Sequence, residues 1–214
     1  PNLLVVPAIA SDGAEGMFLD EAEVSARMAA ASVDGVALLY TTVHLSGRPL
    51  PAVGADLAAS RRLHPSWRLT GGAGAGTDAA LVGARLMDRL AIAPGATLWL
   101  HAADGAPESA AVVVGARLQA GGPDDEAFWI PLATAQRLSR LEGRVSLAQG
   151  RVEGGPEAAA GAAQMLALGG TMRGLVLHAL SATEGRLLER MRRLMALVTL
   201  AALAAAGLCA FGTL

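Results

Sequence analysis

The hydrophobic pattern divides the chain into three regimes. Short runs rich in β-branched and aliphatic residues alternate with short amphipathic helices over most of its length. A polar helix rich in arginine follows, and the last 21 residues, Leu194–Leu214, carry no charge, no Pro and no Asn or Gln. Asn2–Ile9 (NLLVVPAI) reads as a strand. Asp20 then opens a helix in a box-like capping arrangement with Glu23, and Val24 and Met28 form its apolar stripe. Val36–Leu45 (VALLYTTVHL) is a second strand, and Ser46-Gly47 turns it into Arg48–Leu57. Near the other end the same order returns. Arg144–Val152 alternates like a strand, Gly155-Pro156 starts a helix that Gly169-Gly170 ends, and Met172–Leu180 is again a strand.

Two strand–helix–strand units bracket the chain. Side by side they predict a split βαβ sheet with both helices on one face. The block between them predicts strands at Trp67–Leu69, Ala79–Val82, Thr97–His101, Ala111–Leu118 and Phe128–Ile130, with helices at Ala84–Leu90 and Leu132–Leu141. The fold class expected is therefore α+β: a discontinuous split βαβ subdomain (1–48 and 144–182), an inserted small mixed α/β subdomain (49–143), a stalk helix (183–193) and a transmembrane helix (194–214).

The terminal apolar run spans about 30 Å as a helix, the thickness of a bilayer's hydrocarbon core. The competing reading, a buried core helix, would show a polar stripe, and only Thr199, Cys209 and Thr213 interrupt this run. Starting on Pro and stopping inside the apolar run, the chain reads as a segment of a larger membrane protein. Before the run, Leu187, Met191, Leu194 or Met195 and Val198 share one helical face, and Arg186, Arg190 and Arg193 lie largely off it. This predicts one continuous helix over 183–214, a mechanical coupler or a plain juxtamembrane helix. Ala201/Ala205, Ala202/Ala206 and Ala206/Ala210 have the small-xxx-small spacing that lets helices approach in lipid.

Composition narrows the chemistry. All 17 basic residues are Arg, so neither a P-loop lysine nor a Schiff base can occur in this segment. A net charge of -2 points to no polyanion such as nucleic acid. The single cysteine, Cys209, excludes a disulfide within the chain and a thiolate zinc cluster. Gly71–Asp78 (GGAGAGTD) has glycines at the wrong spacing for a dinucleotide fingerprint and reads as a flexible loop. Asp124, Asp125 and Glu126 could offer oxygen ligands to a hard cation, but a loop of solvated charge is the commoner arrangement. His44, His64, His101 and His178 are scattered, and no H-E-x-x-H or G-x-S-x-G is present. No catalytic, cofactor-binding or metal-binding residue is assigned, and no cofactor is expected. Trp67, Trp99 and Trp129 are expected as core anchors of the inserted block.

In order along the chain, NLLVVP (Asn2–Pro7), ALVGARLMDRLAIAPGATL (Ala80–Leu98), DDEAFWIPLATAQRL (Asp124–Leu138) and ERMRRLMALVTLAALAAAGL (Glu189–Leu208) resemble segments of the MacB/FtsX-like family of bacterial ABC transporter permeases. The resemblance implies a porter-like subdomain interrupted by a second one. It implies transport without catalysis in this chain, ATP hydrolysis on a separate cytoplasmic ATPase subunit, a second permease subunit, and a possible periplasmic partner protein. Residues 1–193 would then be extracytoplasmic, in a protein of the bacterial inner membrane. The GGPDDE loop resembles that of permeases beside iron-uptake genes. Arg186, Arg190, Arg192 and Arg193 flank the apolar run and by the positive-inside rule would be cytoplasmic, whereas the family topology places them outside. The alternative function class is the ectodomain of a membrane-anchored receptor or sensor.

Overall fold

The computed structural model describes residues 1–8, 18–71, 79–103, 105 and 107–177. In chain order the elements are β1 (Leu3–Pro7), β2 (Leu19–Asp20), α1 (Glu21–Ala30), β3 (Asp34–Leu45), β4 (Arg48–Ala55), α2 (Leu57–Leu63), β5 (Arg68–Thr70), β6 (Ala80–Gly83), α3 (Ala84–Leu90), β7 (Thr97–Ala102) and β8 (Ser109–Gln119). A 3₁₀ turn (Pro123–Glu126) follows, then β9 (Phe128–Pro131), α4 (Leu132–Ser139), β10 (Arg144–Val145), β11 (Leu147–Arg151), α5 (Gly155–Ala167) and β12 (Met172–Val176).

The bracketing units assemble as the pattern predicts. Strands β12, β1, β11 and β3 lie side by side in that order, all antiparallel. Helices α1 and α5 cover one face. Val24 and Met28 of α1 and Ala159, Ala162 and Leu166 of α5 share a core with Leu3, Val5 and Ala148. The helix-facing side of the sheet needs small residues where it meets them. A Cβ at Gly174 would stand 2.6 Å from the Cα of Ala163 in α5. Arg27 ties the two helices: its Nη1 donates to the carbonyl oxygens of Leu166 (3.2 Å) and Leu168 (2.8 Å), and it pairs with Glu23 at 2.7 Å. Asp20 caps α1 by accepting from Glu23 N at 3.0 Å. Only this half of the expected box is made, because the Glu23 carboxylate turns instead to Arg27 and to the Thr171 hydroxyl at 3.0 Å. The strand expected over Arg144–Val152 is broken after Val145: β10 pairs with β2 as a separate ribbon, and only β11 enters the main sheet.

The middle block closes on itself. β3 pairs with β4, β4 with β9, β9 with β6, β6 with β8, β8 with β7, and β7 returns to β3. All six strands contribute to its interior, among them Leu39, Leu50, Val82, Leu100, Val112 and Phe128, and residues of α3 and α4 complete that core. Closure removes the free edges that an open sheet of this size would expose. α2 and β5 cover part of the outside, burying Trp129, Leu81 and Leu118 against Leu57 and Leu63.

β3 belongs to both parts. Ala37 packs against the core under α1 and α5, Leu39 and Val43 enter the barrel, and Val36 and Leu38 face the core under α2. The fully buried Trp129 is the core anchor expected of it, and Trp67 is half-buried beside it. Trp99 is not: it is 60% exposed. Strand alternation decides this, since Leu98 and Leu100 take the inward phase of β7 and leave Trp99 outside. The expected helix over 183–214, with its stalk and transmembrane portions, lies outside the described residues, as do most of the glycine loop, Cys209 and His178. Among the described residues no helix is long and apolar enough to cross a membrane.

Candidate functional site

The acidic turn is the most elaborately held surface feature. It was expected as a loop of solvated charge, but Asp125 is buried. Its carboxylate accepts from the backbone N–H of Ala120 at 2.6 Å and of Gly121 at 3.2 Å. Those bonds fold the chain back after β8 and satisfy two donors that the tight return would otherwise strand. The turn then presses on the end of β6, where a Cβ at Gly83 would fall on the backbone of Asp124 and Asp125. Glu126 points the other way, to Arg85 at 3.1 Å and Arg89 at 4.0 Å. A neighbouring pair, Arg117 and Asp88, is bidentate, with Nη2 donating to Oδ2 at 2.7 Å. The hydrogen bond from Arg117 holds the Asp88 carboxyl below its ordinary value.

Three adjacent carboxylates therefore have three separate occupations, and they do not converge on one point. Among the described residues no group of three His, Cys, Asp or Glu is placed to hold a metal ion. Asp124 is the carboxylate left over. Burial raises its pKa, the charge of His64 opposes that rise, and Asp125 adds to it. It lines a cleft of about 700 Å³ with Tyr40, Thr41, Val53, Arg85 and Ala127. Burial, with a smaller contribution from Asp124, raises the Tyr40 phenol.

A second cleft, of about 550 Å³, is lined by Arg61, Arg62, His64, Trp67 and Leu69. Arg61 and Arg62 close the last turn of α2, where cations complement the helix dipole. The His64 ring is fixed: Nδ1 lies 2.9 Å from the Ser60 carbonyl oxygen, and the ring stacks on Trp67 at 4.6 Å and 13°. Trp67 in turn meets Trp129 edge-on at 4.6 Å and 73°. One cleft is thus lined by Asp124 and Glu126 together with Arg85, and the other by Arg61 and Arg62 beside the stacked His64–Trp67 pair.

The other histidines are placed in a way that sequence spacing does not reveal. His44 and His101, 57 positions apart, are direct partners across the β3–β7 seam. Each stands on the outward phase of its strand, beside the buried Val43 and Ala102. The only local signal is that alternation with apolar neighbours; the pairing itself depends on barrel closure.

No protein-family model matches this chain, and no curated protein matches it. Solved structures do. The extracellular domain of the noncanonic ABC-type transporter YknZ from Gram-positive bacteria is similar over 82% of this chain and 100% of its own length, with a TM-score of 0.59 at 14% identity. The periplasmic region of MacB from Actinobacillus actinomycetemcomitans is similar over 88% of this chain and 92% of its own, with a TM-score of 0.58 at 8% identity. At these identities the likeness is one of fold: this chain is built like the extracytoplasmic domains of YknZ- and MacB-type ABC transporters.

Proposed function

We propose that this chain is the extracytoplasmic domain of an ABC transporter permease subunit, continuing into a membrane helix, and that it relays motion rather than catalysing a reaction. The observation that carries the reading is the likeness of the whole described domain to the ectodomains of two such transporters. The order of family-like segments along the chain agrees with it. So does the way the chain enters and leaves the sheet. Leu3 of β1 pairs with Val176 of β12, and Leu177 N donates to the Asn2 carbonyl oxygen at 2.8 Å. Segments leading to and from the domain would thus sit side by side, as two neighbouring membrane helices require. ATP would be hydrolysed on a separate cytoplasmic subunit, and a second permease subunit would complete the pathway in the inner membrane. β3, shared by both parts, is the element through which a shift at β1 and β12 would reach the barrel.

The test uses the full-length protein with its ATPase. Met191→Pro should break the helix predicted over 183–214, since Pro removes a backbone donor and clashes with the preceding turn. ATP hydrolysis should continue without transport while the outer domain stays folded. Alkaline phosphatase fused after Leu177 should be active, reporting an extracytoplasmic position. Normal transport by the variant would reduce the helix to an anchor, and an inactive phosphatase fusion with a fluorescent GFP counterpart would overturn the topology.

A further inference from the structure

The barrel closes through a very short seam: among the described residues β7 meets β3 in two residue pairs, Val43 with Ala102 and His44 with His101. Val43 and Ala102 are buried, at 0% and 2% exposure, so alternation turns the histidine pair outward. Directly opposed residues on antiparallel strands have Cβ atoms about 4.5–5.5 Å apart. Two imidazoles so placed can each turn one nitrogen to a common ion at about 2.0–2.1 Å. Neither ring has a hydrogen bond, ion pair or ring contact among the described residues, in contrast to His64, which is held by Ser60 and Trp67. The outward neighbours on the same strands and their partners, Thr42, Pro49, Trp99 and Ser109, bring no cation to repel a metal.

We infer that His44 and His101 form a two-histidine site for a divalent first-row transition cation, which clips β7 to β3 and fastens the barrel seam. With two protein ligands, water completes the coordination, so the ion exchanges readily and the site is distinct from a closed structural zinc centre. Neutral imidazole pairs prefer Cu²⁺ over Ni²⁺ and Zn²⁺. A cation bound only by the paired strands stabilises the folded state by mass action.

The test is titration of CuSO₄ and ZnCl₂ into the purified full chain, following thermal unfolding and the Cu²⁺ EPR spectrum. One Cu²⁺ per chain with nitrogen hyperfine structure, and a rise in melting temperature larger for Cu²⁺ than for Zn²⁺, are expected. His44→Gln and His101→Gln should each weaken binding at least tenfold, while His64→Gln leaves it unchanged. Zn²⁺ should also shift the imidazole NMR signals of His44 and His101 in the unmodified protein, a measurement that does not depend on the variants folding. Equal binding by the His44→Gln/His101→Gln double variant, or imidazole signals indifferent to Zn²⁺, would overturn the proposal.

Discussion

Leu38 and Leu39 are adjacent in the chain, both fully buried, and face different cores: Leu38 packs under α2, and Leu39 fills the barrel. The same strand also sends Ala37 to the core under α1 and α5, so β3 joins the helix-covered sheet to the barrel. Leu39→Ala should cost about 2–5 kcal/mol, as other buried leucine truncations do. The loss should appear in both parts at once. Hydrogen exchange of β1 and β12 should accelerate together with that of β8, and unfolding should remain a single transition. Two separated transitions would show that β3 does not couple the parts.

The acidic turn rests on Asp125. Asp125→Ala removes the acceptor for two backbone donors, and hydrogen bonds to a charged group are worth about 1.5–3 kcal/mol each. A loss of at least about 2 kcal/mol in urea unfolding is expected, with Asp125→Asn intermediate. Gly83→Ala should cost about 1–3 kcal/mol by overpacking against the same turn. A Gly83→Ala variant of unchanged stability would mean the turn moves away freely.

Asp124 gives a pH dependence of defined sign. Its pKa is raised above the ordinary 3.8, chiefly by burial. The folded state therefore holds this proton more tightly than the unfolded chain. The resulting stability is present below about pH 3.8 and is lost as pH rises through the folded value. Asp124→Asn should be more stable than the parent at pH 7, and the gap should narrow on acidification to pH 3. Melting temperatures of both proteins across that range decide it; a variant less stable at pH 7 would assign Asp124 a favourable charge contact instead.

Ala91 ends α3 in the left-handed region, at φ 51° and ψ 40°. A residue with a Cβ is disfavoured there by about 1–2 kcal/mol, and glycine is the usual occupant. Ala91→Gly should therefore stabilise the protein by about 0.5–1 kcal/mol after glycine's greater unfolded-state entropy is subtracted. Urea denaturation with an unchanged m-value is the check. Destabilisation would mean that the Ala91 methyl makes a contact worth more than the backbone relief.

Strand and helix positions were legible because each depends on a local period. Val24 and Met28, four apart, mark the buried face of α1, and Asp20 marks its start. The split βαβ arrangement follows from two such units separated by a block of different character. The likeness in fold to transporter ectodomains was legible only through the order of degenerate family-like segments.

What tertiary structure decided is everything that rests on pairing between distant strands. Trp99 and Trp129 have equally apolar surroundings in sequence, yet the phase of β7 exposes one and burial under α2 covers the other. Asp124, Asp125 and Glu126 are three consecutive carboxylates, and only the fold of the turn sends one to the backbone, one to Arg85 and one to a cleft. His44 and His101 meet because β7 closes the barrel onto β3. A two-residue period tells which face a side chain takes. It cannot tell which strand will lie beside it, because that choice is made by the burial of whole faces together.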